Sequence, residues 1–253
     1  MISKKIIKSI QSFLKIWGYK IIPLDDKNSD NVINAEFGGI YEECKEFTMT
    51  SIERMYALYK AVEYIVKAKI PGDLVECGVW KGGSAMIIVR TLLMMRETGK
   101  KIYLYDTYEG MSEPTEEDKK ISSDNLAIHK WKSQQKKQYN EWCFASLREV
   151  KNNLFSTGYP QKNLVFLKGK VENTIPKIMP SKIALLRLDT DWYKSTKHEL
   201  KYLFPVLAKR GVLILDDYGS WAGAKKAVDE YFKNKNILLN RIDYTGRVGI
   251  KIE

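Results

Sequence analysis

Residues 73–108 read "DLVECGVWKGGSAMIIVRTLLMMRETGKKIYLYDTY". A short apolar run ends in a Gly-rich turn, a helical stretch follows over residues 84–99, and a second apolar run ends at Asp106. Strand, tight turn, helix and strand make a β-α-β unit, which pairs its strands in parallel. The order repeats downstream. "NLVFLKG" (163–169), "IALLRLD" (183–189) and "GVLILDD" (211–217) read as further strands, each followed by a helical stretch.

Upstream, "TSIERMYALYKAVEYIVKAK" (50–69) reads as an amphipathic helix with Thr50 or Ser51 as N-cap, stopped by Pro71-Gly72. "ASLREVKNNLFSTGYP" (145–160) is helical up to Gly158. The last piece, "ILLNRIDYTGRVGIKIE" (237–253), resembles two strands joined near Thr245-Gly246. Alternating strands and helices imply an α/β fold. Its sheet is mostly parallel, helix-covered on both faces, with an antiparallel addition at the end. Residues 111–142, polar and weakly periodic, interrupt the alternation as an inserted flap. Residues 23–40, rich in Asp, Asn and Gly, read as a linker. The expected organisation is an N-terminal helix and linker over 1–46, then one domain over 47–253.

A chain of 253 residues suits one large domain with a sizeable core. Its formal charge of +11 favours anionic partners. Nucleic acid is not among those expected, because no nucleic-acid module or Arg-rich tract is present. Cys44, Cys77 and Cys143 are odd in number and lack metal spacing, which fits a reduced, cytoplasmic compartment. No apolar stretch is long enough for a membrane span. In "MISKKIIKSIQSFLKIWGYKII" (1–22) Ile2, Ile6, Ile10, Phe13, Leu14 and Trp17 recur at helical spacing between lysines. Such a helix packs on protein, or lies peripherally on the inner face of the membrane.

Ligands of parallel sheets bind beyond the carboxyl ends of the strands, and the chemistry-bearing residues of this chain fall there. The first turn, "VECGVWKGGS" (75–84), is neither a P-loop nor the dinucleotide fingerprint. Gly78, Gly82, Gly83 and Ser84 lead into a helix N-terminus that suits a carboxylate, and Glu76 stands where it could hold an ammonium. Asp106 ends the second strand, the usual place for ribose hydroxyls. After the third strand, Val171 and Glu172 could frame an adenine. Amino acid, ribose and base together describe a site for S-adenosylmethionine. Ser51, Trp80, Thr107, Gly110 and Asp189 are assigned to that site with them.

Four acids, Asp189, Asp191, Asp216 and Asp217, end the next two strands. Clustered carboxylates without His or Cys suit a hard cation such as Mg²⁺. Asp189, Asp216 and Asp217 are the expected metal ligands, and Asp191 the expected base; a helix cap is the plainer reading of Asp191. His129, in the flap, is a second candidate base. Trp192, Tyr193 and Tyr218 are candidate substrate contacts, with Trp131, Trp142 and Trp221 as further aromatic surface. Lys170 and Arg187 are candidate phosphate contacts, and His198 belongs to a helix surface.

"PGDLVECGVWKGGS", "DTYEGM", "LRLDTDWYKST" and "LDDYGSWAGAKKAVDEY" together closely resemble the TylF-type (macrocin) O-methyltransferase family, in the family's order, over roughly residues 47–235. The resemblance implies a Rossmann-like class I methyltransferase fold with a seven-stranded sheet, S-adenosylmethionine as donor, Mg²⁺ dependence and an oligomer, at least a dimer. Its metal acids match Asp189, Asp216 and Asp217, and Asp191 matches one proposal for its base. Its best-known members methylate a sugar hydroxyl. The basic surface points to a nucleotide- or lipid-linked sugar of bacterial surface-polysaccharide synthesis. A natural-product sugar, a catechol-type phenol, and a non-catalytic membrane-associated role are the alternatives.

Overall fold

The computed structural model describes residues 34–252 except 124. The amphipathic stretch at 1–22 and most of the expected linker lie outside the described residues. Strands form where Leu, Ile and Val run on with little interruption: β1 (Asp73–Cys77), β2 (Ile102–Asp106), β3 (Leu164–Lys168), β4 (Ile183–Leu188) and β5 (Leu207–Leu215). All six residues of β4 are buried, as a strand covered on both faces requires. The C-terminal hairpin supplies β6 (Leu239–Arg241) and β7 (Arg247–Ile250). The seven strands pair in the order β3-β2-β1-β4-β5-β7-β6. β1 to β5 pair in parallel, while β7 runs antiparallel to both β5 and β6.

Eight helices are described: α1 (Ala35–Cys44), α2 (Ile52–Lys67), α3 (Gly83–Met94), α4 (Ala127–Gln134), α5 (Leu147–Phe155), α6 (Val171–Thr174), α7 (Tyr193–Leu203) and α8 (Ala222–Phe232). α2 packs on α3, and α7 on α8. Leu186, Leu188, Leu200, Leu203, Leu213 and Val228 share one buried cluster between the sheet and α7/α8. Truncating any of these to Ala would cost about 2–5 kcal/mol.

Two elements differ from the sequence reading. Residues 35–40, read as the end of an Asp-, Asn- and Gly-rich linker, open helix α1. Tertiary contact overrides the weak local propensity: the Phe37 ring is buried, 5.1 Å from Tyr56 and 5.4 Å from Tyr59. The compact body therefore begins at Glu36, ahead of residue 47. Helix α3 stops at Met94 rather than near Gly99. Arg96 turns left-handed at φ 58°, and the Glu97 N–H donates back to the Leu92 carbonyl, closing the helix.

β1 lies between β2 and β4, so the strand order reverses there. That is where an open α/β sheet leaves a crevice at the carboxyl ends of its strands.

Candidate active site

Arg187, the single charge within β4, lies under the crevice with 2 % of its surface exposed. Its Nη1 donates to Glu76 Oε1 at 2.7 Å, and its Nη2 reaches Asp216 Oδ1 at 2.7 Å and Asp189 Oδ2 at 2.8 Å. Arg54, on α2, donates to the other Asp216 oxygen and through Nε to Asp243 Oδ2 at 3.0 Å. Two guanidiniums thus lie among the acids that end β1, β4 and β5. Burial costs such charges several kcal/mol each unless they are paired, and here they are. The expectation that Arg187 touches a phosphate is corrected: its nitrogens are spent on carboxylates. Glu76, fully buried, has one oxygen taken by this guanidinium, while its Oε2 has no hydrogen-bond partner among the described residues.

Above this base sit the four acids. One oxygen each from Asp189, Asp216 and Asp217 lies within 4.8 Å of the others. Asp191 turns left-handed at φ 65°, and its backbone N–H donates to Asp217 Oδ2 at 3.1 Å. Burial raises Asp191 to about 7 and Asp216 to about 6, reinforced by the charge of Asp189. Asp217 is pushed well above the carboxylate range by burial and by Asp191, with which it shares a hydrogen bond. A set of hard oxygens that resists simultaneous ionisation is one a divalent cation would relieve, so the donors fit Mg²⁺.

The Gly-rich turn has a structural task of its own. Gly78 and Gly82 have φ of 83° and 93°, where glycine is favoured. Asp106 braces the turn: its Oδ2 accepts from the Val79 and Trp80 N–H groups at 2.7 and 3.1 Å, and its Oδ1 from Tyr108 N–H at 2.7 Å. Its carboxylate is therefore largely occupied by backbone donors, yet it still lines a groove at the ends of β2 and β3. Gly78, Thr107, Gly110, Val171, Glu172 and Asp189 line the same groove. Gly110 is required there, since a Cβ would come to 1.9 Å from the Asn140 carbonyl oxygen. Lys170, an expected phosphate contact, lines the groove as well; Tyr105, Met111, Ser112, Gly169, Thr190 and Ser195 complete the wall and were not foreseen, since their types carry no distinctive signal.

The four acids open into a second, adjoining cleft of about 280 Å³. Trp80, Gly83 and Ser84 line it together with Trp142 and Trp221 from the flap and the β5–α8 loop. The flap is seated firmly. Trp192 Nε1 donates to the Ser112 carbonyl at 2.9 Å, and the Trp192 ring meets Trp142 and Trp221 edge-on. Asp118, buried and missed in the sequence, accepts from the Tyr193 N–H at 2.8 Å and from Thr115, tying the flap to the start of α7. Gly223 makes room for it, since a Cβ there would lie 2.0 Å from Asp118 Oδ1.

Several expected site residues lie elsewhere. Ser51 caps α2, accepting from the Arg54 N–H at 3.2 Å and donating to Asp243 at 2.8 Å, so its hydroxyl is spent; Thr50 lines the cleft instead. Tyr193 points to Glu230 and Lys197, and Tyr218 donates to Asp229 at 2.7 Å. Trp192 is 2 % exposed, a packing residue rather than a sugar platform. Its ring does not line the cleft, whereas Trp80, Trp142 and Trp221 do. His129 is exposed on α4 and lines neither groove nor cleft. His198 is half-buried against the Ile175 carbonyl at 2.9 Å.

The sheet and these strand ends have relatives. A 31 % identical protein from Streptomyces olivaceus, 8-demethyl-8-(2,3-dimethoxy-alpha-L-rhamnosyl)-tetracenomycin-C 4'-O-methyltransferase, aligns over 79 % of this chain and 73 % of its own length. The demethyldecarbamoylnovobiocin O-methyltransferase of Streptomyces niveus is 32 % identical over 73 % of this chain and 67 % of its own. Among solved structures, the O-methyltransferase NovP superposes with a TM-score of 0.70 at 27 % identity, covering 82 % of this chain and 83 % of that one. The profile described as "Macrocin-O-methyltransferase (TylF)" matches residues 42–248, across every strand but the last residues of β7. The chain belongs to the TylF macrocin-O-methyltransferase family of S-adenosylmethionine-dependent O-methyltransferases.

Proposed function

We propose that the chain methylates a sugar hydroxyl of a small, sugar-bearing acceptor, using S-adenosylmethionine as donor and Mg²⁺ held by Asp189, Asp216 and Asp217. The observation that carries this reading is the three facing carboxylates at the floor of a cleft walled by Trp80, Trp142 and Trp221, next to the groove at the β2 and β3 ends. Aromatic faces stack on sugar C–H faces, and carboxylate oxygens suit a cation that can meet a hydroxyl.

The residues lining the groove support this reading. With the donor bound, Val171 and Glu172 would flank the base, Thr107 and Gly110 would border the ribose, and Gly78 would let the donor approach the β1 turn. When bound, Mg²⁺ would lower the pKa of an acceptor hydroxyl and fix its position. Asp191, half-buried next to the three ligands and raised to about 7, is suited to take the hydroxyl proton at its carboxylate. Trp142 and Trp221 hold the sugar ring and keep water out.

The named relatives shift the choice of acceptor. One acts on a rhamnosyl unit of tetracenomycin and the other on a novobiocin precursor, which favours natural-product glycosides over surface-polysaccharide intermediates. The test is mass-spectrometric detection of methyl transfer from S-adenosylmethionine to a panel of rhamnosides and other glycosides, with Mg²⁺ or with EDTA. Methylated sugar appearing only with Mg²⁺ supports the reading. Methylation of catechols with none of the sugars would replace it.

A further inference from the structure

The lining of the acceptor cleft carries both signs of charge. Arg54 and Arg187 are paired with its acids, and the flap adds two further cations, Lys120 and Lys130. Both are placed by the fold. Lys120 sits in a β-bridge to Trp221, and the next residue, Ile121, donates its N–H to the Ser220 carbonyl at 2.9 Å. The Lys130 ammonium lies 4.1 Å from the centre of the Trp142 ring, and that ring walls the same cleft.

Surface lysines are usually spent on a neighbouring acid. Nearby ones are: Lys136 on Glu141 at 3.4 Å, Lys168 on Glu109 at 2.7 Å, and Lys226 on Glu117 at 2.8 Å. Among the described residues neither Lys120 nor Lys130 forms an ion pair. Two exposed large side chains, Met49 and Tyr244, 60 % and 66 % exposed, line the same cleft. Two cations without an ion pair, in a cleft that also presents exposed apolar side chains, describe a complement to a molecule that is anionic and partly apolar.

We infer that the acceptor carries an anionic group beyond the methylated sugar, and that Lys120 and Lys130 hold it. This rests on the sugar-acceptor reading above and narrows it. The anion has two chemical sources: the pyrophosphate of a nucleoside-diphosphate sugar, or a carboxylate on the aglycone of a finished glycoside. In the first case methylation precedes glycosyl transfer; in the second it follows.

The experiment is calorimetric titration of three probes into the full chain saturated with S-adenosylhomocysteine, in EDTA so that no metal bridges a phosphate to the acids. The probes are dTDP-L-rhamnose, 4-carboxyphenyl α-L-rhamnoside and the neutral 4-nitrophenyl α-L-rhamnoside. At least one anionic probe should bind about tenfold or more tighter than the neutral one, and which one identifies the source. The preference should vanish in Lys120→Gln/Lys130→Gln and shrink as salt rises from about 50 to about 500 mM. Both lysines are exposed, so S-adenosylhomocysteine affinity should be unchanged and reports folding. Equal binding of all three probes, or a preference that survives in the double variant, overturns the inference while leaving the sugar reading intact. If no rhamnoside or other glycoside binds or is methylated while S-adenosylhomocysteine still binds, the sugar reading itself fails and takes the inference with it.

Discussion

The carbonyl oxygen of Asp189 stands where a side chain of residue 78 would begin: a Cβ on Gly78 would lie 1.9 Å from it. The end of β1 and the end of β4 touch there through backbone, and the Asp189 N–H donates to the Cys77 carbonyl at 2.8 Å. The first metal-ligand candidate and the cofactor turn are therefore placed by one contact. Gly78→Ala must both adopt φ 83° and push β4 away, which should cost about 3 kcal/mol or more. Gly158 supplies the control. It has a similar φ of 80° with nothing within 4 Å of an added Cβ, so Gly158→Ala should cost only about 1–2 kcal/mol. Urea denaturation of both variants checks this, and equal losses would show that the collision is relieved without cost.

Arg187 serves three carboxylates through two nitrogens, and no other side chain reaches Glu76 Oε1 among the described residues. Arg187→Met would strand Glu76 and leave Asp189 and Asp216 with less positive charge nearby. The expected loss is about 3–5 kcal/mol, the usual cost of breaking a buried ion pair from one side. Adding Glu76→Gln should recover part of it, because one stranded charge is then gone. A double-mutant cycle by urea denaturation reads the coupling, and purely additive losses would mean that the pair does not act as a unit.

The alternation of strands, the Gly-rich turn and the acids at strand ends were legible because each breaks a local pattern: an acid after an apolar run, or a glycine before a helix. What stayed hidden depends on partners far away in the chain. Glu76 and Arg187 are 111 residues apart, so Glu76 looked free to hold a ligand. Asp106 lines the groove where a ribose acid was expected, but the turn it also braces lies 26 and 27 residues upstream. Trp192 and Tyr193 are adjacent and looked equivalent, yet one packs under the flap and the other faces Glu230. Asp118 sat among many flap acids, and its burial against Gly223 could not be read from composition.

Asp216 and Asp217 are neighbours with different burdens. Asp216 balances Arg54 and Arg187, whereas Asp217 accepts from the Asp191 N–H and forms no ion pair among the described residues. Asp217→Asn should therefore lower methyl transfer by at least about 100-fold through loss of Mg²⁺ binding, with little change in stability. Asp216→Asn should lose activity and, in addition, about 2–3 kcal/mol of stability, because two buried arginines lose charge-assisted bonds. Turnover across a Mg²⁺ titration and urea denaturation separate the two. Full activity of Asp217→Asn in EDTA would remove the metal from the reaction.

Glu199, on α7, is fully buried beneath the same loop. Its Oε1 accepts from Thr190 Oγ1 at 2.9 Å, and Oε2 has no partner. Burial raises its pKa from 4.5 to about 8, although the bond from Thr190 pulls it down. The native state therefore keeps a proton that the unfolded chain releases. Stability linked to that proton is complete below about pH 4.5 and is lost as pH rises through about 8. Glu199→Gln does not titrate, so its stability relative to wild type should rise with pH, by roughly 1–3 kcal/mol between about pH 5.5 and about pH 8.5. Other groups cancel in the difference. Urea denaturation at both pH values checks the sign, and a flat difference would mean that Glu199 is ionised throughout, held by Thr190 despite its burial.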